Sequence, residues 1–120
     1  MPGTANYDAI KALMNATPPK AMLAKYDKDG DGTDPQGSRK LWPMVLGYSP
    51  DTDVEGESVD MVLCYQTTGA QSDRGWRCMK VDLLSSISQT NANVPRPIMT
   101  EDQVNRQSCV VSVELPVFAR

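Results

Sequence analysis

The residues whose types and spacing could do chemistry are two runs of acids, one basic–aromatic cluster and three cysteines. Asp27, Asp29 and Asp31 fall at alternate positions ahead of Gly32. That spacing lets oxygen ligands converge on a hard cation while the glycine permits a sharp turn. Asp51, Asp53, Glu55 and Glu57 alternate in a second acidic run that ends near Asp60. Arg74, Arg77 and Lys80 surround Trp76, a mixture suited to base stacking and phosphate contact. Cys64, Cys78 and Cys109 are too few and too odd in number for a disulfide framework.

Only the first run resembles a known motif. Asp27 to Thr33 is similar to the first half of a calcium-binding EF-hand loop, with carboxylates at positions 1, 3 and 5 before the glycine. The match then ends. Position 8 is Asp34, position 9 is Pro35, and Ser38 stands where the bidentate glutamate belongs. The resemblance implies calcium as the one candidate ligand; otherwise no cofactor is expected. The preferred reading is a solvated turn, because Asp and Gly favour turns for backbone reasons alone. The same holds for the second run, read as a solvated acidic loop beside the alternatives of a metal site or a patch for a basic partner.

Exclusions carry more weight. The chain contains no histidine, which removes His-based triads, His-assisted cysteine nucleophiles and His-ligated zinc. No CxxC pair and no glycine-rich phosphate loop is present. A carboxylate pair could still support glycosidase-type hydrolysis, yet every acidic cluster reads as an exposed loop without aromatic subsites. The expectation is a protein that is not an enzyme.

These groups must be positioned by a single domain, residues 1–120, which is long enough to bury an ordinary core. The net charge of −3 is uneven: residues 27–60 carry nine acids and three bases, whereas residues 61–120 carry five acids and six bases. An acidic middle argues against a protein built mainly to grip a nucleic-acid backbone. No run approaches the roughly 18 apolar residues of a membrane span, and Met1 to Thr4 lacks the features of a signal peptide. The expected location is the cytoplasm or the interior of a virus particle, without secretion and without a membrane partner.

The chain is organised around Ser58 to Leu84, read as a β-hairpin. Val59, Met61, Leu63 and Tyr65 alternate with polar or smaller residues, and Met79, Val81 and Leu83 do so in the second arm. Pairing Leu63 with Met79 places Cys64 opposite Cys78. The preferred state of that pair is two buried reduced thiols, with a cross-strand bridge as the alternative. Tyr7, Ile10, Leu13 and Met14 have amphipathic-helix spacing. A second short helix is expected from Pro18 to Tyr26, capped by Thr17. Lys40 to Tyr48, interrupted by Pro43, reads as an edge segment. Leu83, Leu84 and Ile87 fit a turn or two of helix ahead of a polar loop at residues 88–93. Pro95 and Pro97 enforce extended chain, Thr100 to Gln103 has capping-box spacing, and Cys109 to Phe118 reads as an interior strand. Arg120 is equally compatible with a natural end and with a core cut from a longer chain.

The fold expectation is α+β: a mainly antiparallel sheet of about four strands with short helices packed on one face. The second face of the hairpin, with Val62, Cys64, Trp76 and Cys78 inside a charged border, is the expected partner-binding site. The functional expectation is a non-enzymatic structural or assembly module, homodimeric and joined to other protein subunits of an assembly. A small capsid-associated or packaging accessory protein of a virus or phage is one concrete instance. Two alternatives stand beside it: RNA binding through Arg74, Arg77 and Lys80, and weak calcium binding through Asp27, Asp29 and Asp31.

Overall fold

The computed structural model describes residues 4–26, 38–68, 75–92 and 94–116. In chain order the elements are helix α1 (Thr4–Asn15), strands β1 (Ala21–Tyr26), β2 (Arg39–Pro50), β3 (Ser58–Gln66), β4 (Gly75–Lys80) and β5 (Leu84–Thr90), helix α2 (Glu101–Arg106) and strand β6 (Ser112–Leu115). A single turn of 3-10 helix, Val81–Leu83, joins β4 to β5. The six strands form one antiparallel sheet in the order β4-β3-β2-β1-β5, with β6 pairing β2.

This corrects the expected architecture of about four strands with helices on one face. Among the described residues six strands dominate, two short helices accompany them, and these helices pack on opposite faces. Ile10 and Met14 of α1 pack with Val62 and Cys64, whereas Val104 of α2 packs with Met61 and Leu63. Adjacent strand residues point to opposite faces, so β3 is apolar on both sides because both sides are covered. Two cores result, one under each helix.

The centre of the sheet is β2, not the hairpin. Its first half pairs β1 at Arg39 to Leu41, its second half pairs β6 from Leu46 to Tyr48, and β3 runs along the other side. The expected edge position is therefore overturned. Pro43 is tolerated because it falls between the β1 and β6 pairings, beside a register shift against β3 between Pro43 and Val45. That bulge turns Leu41 and Leu46, five residues apart, toward the same α1-side core.

A bulge also explains one of the two missed strands. Leu84 and Ile87 have helical i, i+3 spacing and both meet the α1-side core, yet they lie in β5. One extra residue in β5 between the Leu23 and Lys25 pairings, with Ser86 at φ 55°, restores the common face. β5 also takes in Ser88 to Thr90 of the expected loop. The second expected helix, Pro18 to Tyr26, is instead β1: Met22 and Ala24 are buried under α1 and the strand is paired on both edges. Helix propensity in Ala-Met-Leu-Ala-Lys is a weak prior that two-sided pairing overrides.

α1 and the capping box at Thr100 and Gln103 form as the sequence implies. The last strand does not. β6 is four residues long, pairs β2 alone among the described residues, and leaves Val111 before it 63% exposed, while Val117 and Phe118 of the expected strand lie outside the described residues. An extra residue in β6 near Glu114 aims that carboxylate at α1 while Leu115 enters the core.

Candidate functional site

The β3–β4 hairpin forms, but its register is one residue from the expected one. Val62 pairs Met79, Leu63 pairs Cys78 and Cys64 pairs Arg77. A one-residue slip exchanges the faces of a whole strand. Val62 and Cys64 therefore lie fully buried on the α1 side, and Trp76 and Cys78 lie on the opposite face with Lys80. The four residues expected on one partner-binding face are divided between two. The slip has a plain cause: with β3 apolar on both faces, its alternation does not say which set meets Met79.

The α2 side of the sheet carries an aromatic row. Trp42 pairs Tyr65, and Tyr65 pairs Trp76, so three adjacent strands present three rings at one level of the same face. Tyr65 and Trp76 meet edge to face, with ring centroids 5.2 Å apart at 75°. Trp42 is held by a 3.0 Å hydrogen bond from its Nε1 to the Val94 carbonyl, which brings the 94–99 segment across its end of the row. Trp76, at the edge of the sheet, stays 44% exposed.

Beside this row Cys78 is bonded to Cys109, with Cα atoms 5.6 Å apart. The expected reduced pair Cys64/Cys78 is thereby corrected: Cys78 finds its partner in the α2–β6 connection, and Cys64 is a buried free thiol whose ionisation burial pushes up. The disulfide is a ridge between two hollows. One, of about 520 Å³, is lined by Pro50, Val59, Met61, Lys80 and Val111. The other, of about 450 Å³, is lined by Leu63, Trp76, Met99 and Gln107. Both are mainly apolar and open to solvent.

The remaining polar groups of the described residues are spread over the molecule. Among the described residues no three His, Cys, Asp or Glu side chains could hold a metal ion. Asp51, Asp53, Glu55 and Glu57 lie in the turn between β2 and β3, which is closed by Asp51 N donating to the Glu57 carbonyl at 2.9 Å, and Asp53 N donates to Asp51 Oδ1 at 2.8 Å. Glu114 accepts from Tyr7 Oη at 2.5 Å and Lys11 Nζ at 3.2 Å, and these bonds hold its carboxyl below the usual range. Burial, then that same hydrogen bond, raises the Tyr7 hydroxyl. Asp60 is raised by burial and by Asp82. Arg96 has a buried Nε without a hydrogen-bond partner among the described residues.

The RNA-binding trio is not gathered. Lys80 shares the Trp76 face, but Arg77 alternates to the other face and its Nη1 donates to the Trp76 carbonyl at 2.9 Å. Arg74 lies outside the described residues, as do Asp27, Asp29 and Asp31 of the calcium loop.

No family model, curated protein or solved structure matches this chain. Its function therefore has to be read from the site itself. Sequence reading missed Tyr65, Leu63 and Cys109 as members of the Trp76 face. Only the register could reveal them, since neighbours across a sheet are distant in the chain.

Proposed function

We propose that this chain is a non-enzymatic structural module that self-associates as a homodimer through the face carrying Trp76 and joins other subunits of a larger assembly. The observation that carries the reading is Trp76 itself. A tryptophan left almost half exposed, set edge to face with Tyr65 and lining an apolar hollow, is the usual composition of an interface centre. The chain has no histidine, which removes His-based triads and His-ligated zinc.

A small capsid-associated or packaging accessory protein of a virus or phage remains the concrete instance. The Cys78–Cys109 bond favours a setting outside the reducing cytosol, such as an assembled particle exposed to oxidant. The expected cytoplasmic alternative is correspondingly less favoured. No helix among the described residues is long and apolar enough to cross a membrane.

The test is the solution mass by light scattering on a sizing column across a concentration series in non-reducing buffer. A mass twice that of the 13.1 kDa chain supports the reading. A 13.1 kDa monomer at every concentration overturns it.

A further inference from the structure

We infer that Cys78–Cys109 is an exchangeable disulfide: a dithiol attacks Cys78 in the folded chain, opens the bond without unfolding the sheet, and leaves both cysteines placed to close it again. The inference goes beyond the self-association proposed above and neither needs nor excludes it, because it concerns the free chain.

Access is the first requirement. Exchange needs a thiolate to reach one sulfur from outside, so a disulfide sealed in a core reacts slowly whatever its stability. Cys78 is exposed and Cys109 is half-buried. An open hollow lies on each side of the bond, of about 520 and 450 Å³, and both cysteines line both hollows. Cys78 is thus the better target, with Cys109 as the leaving group. Lys80, two residues along β4 on the same face, lines the larger hollow with both cysteines and has no ion pair among the described residues. A nearby ammonium favours the departing thiolate. The one carboxylate lining that hollow, Asp51, belongs to the β2–β3 turn.

Contacts other than the bond hold both cysteines in place. Ser49 Oγ donates to the Cys109 carbonyl at 2.9 Å and accepts from Val111 N at 3.0 Å. The Gln107 side chain and the Val110 backbone exchange two hydrogen bonds, at 2.7 and 2.9 Å. Val104 and Val110, before and after Cys109 in the chain, are buried. Cys78 is held by its pairing with Leu63. The opened thiols therefore stay neighbours, and proximity favours closure. Cys64 does not compete, because it is fully buried on the other face and burial keeps its thiol protonated.

In the first step a thiolate of the dithiol bonds Cys78 Sγ, and Cys109 leaves as a thiolate. The second thiol then attacks the reductant's own sulfur in the mixed disulfide and expels Cys78. The reductant departs as a disulfide, having given two electrons and two protons to the two cysteines. Run backward with an oxidised dithiol, the same steps restore the bond. The chain can thus carry both thiols reduced in a reducing compartment and close the bond outside it.

The experiment treats the dilute native chain with dithiothreitol at neutral pH without denaturant, quenches at intervals with a maleimide and maps the labelled cysteines by mass spectrometry. Cys78 and Cys109 should be labelled together, at a rate proportional to dithiothreitol, and Cys64 roughly tenfold more slowly or less. A bond that resists until denaturant is added, or Cys64 labelled in step with the pair, overturns the inference. Glutathione in place of dithiothreitol, trapped early by acid, marks the sulfur attacked. Its first adduct is expected on Cys78, and an adduct on Cys109 overturns that assignment. Far-ultraviolet circular dichroism of the reduced chain should match that of the oxidised one, and loss of the β signal overturns opening within the fold.

Discussion

Gly47 of β2 and Ser112 of β6 approach so closely that a Cβ on Gly47 would fall within the Ser112 carbonyl and 2.8 Å from Val110 Cγ1. Glycine is needed here for close approach, without any unusual backbone angle. Gly47→Ala must push β6 off the sheet, and overpacking of this kind costs about 1–3 kcal/mol. Denaturant unfolding should show the loss. Released β6 should also free Glu114 from α1.

The Cys78–Cys109 bond closes a loop with a separation of 31 residues, for which loop-closure entropy gives about 3–4 kcal/mol. Cys109→Ser should lower the unfolding free energy by that order. Thiol titration gives an independent check. The native protein should show no reactive thiol, because Cys64 is fully buried. Denatured without reductant it should show one, and after reduction all three.

Two carboxylates at one end of the molecule should give opposite pH behaviour. Glu114 is depressed by its bonds from Tyr7 and Lys11, so its stabilisation is present above the ordinary carboxylate value of about 4.3 and lost as pH falls through the folded-state value. Glu114→Gln should therefore lower the melting temperature at pH 7 and make little difference at pH 3. The effect is modest, because the Lys11 pair is well exposed, and such pairs contribute up to about 1 kcal/mol. Asp60 is raised by burial and by Asp82, so its favourable contribution exists at low pH and is lost as pH rises. Asp60→Asn should raise the melting temperature at pH 7 but not at pH 3.

Arg77 gives a test of the RNA alternative. Its guanidinium bonds its own strand on the face away from Trp76. Arg77→Ala should leave any retention on single-stranded RNA unchanged at every salt concentration. A fall in retention and in salt dependence would return RNA binding to this hairpin.

The sequence by itself determined the elements whose signals are local. The i, i+3, i+4 spacing of Ile10, Leu13 and Met14 makes α1, since a helix buries one stripe whatever it packs against. Thr100 and Gln103 satisfy each other's backbone groups within four residues and fix the start of α2. The alternation in Ser58 to Lys80 makes the hairpin. Only the tertiary structure decided what depends on partners far along the chain. Leu84 and Ile87 read as helical because a bulge in β5, set by pairing with β1, mimics helical spacing. Pro43 reads as an edge residue, yet the gap between β1 and β6 admits it to the central strand. Cys78 finds Cys109 and not Cys64 because one residue of register reverses its face. The same slip carries Trp76 away from Val62 and Cys64, and sets it beside Tyr65 on the end strand of the sheet. Register is fixed by the burial of whole faces, a sum over both cores that no single stretch of sequence contains.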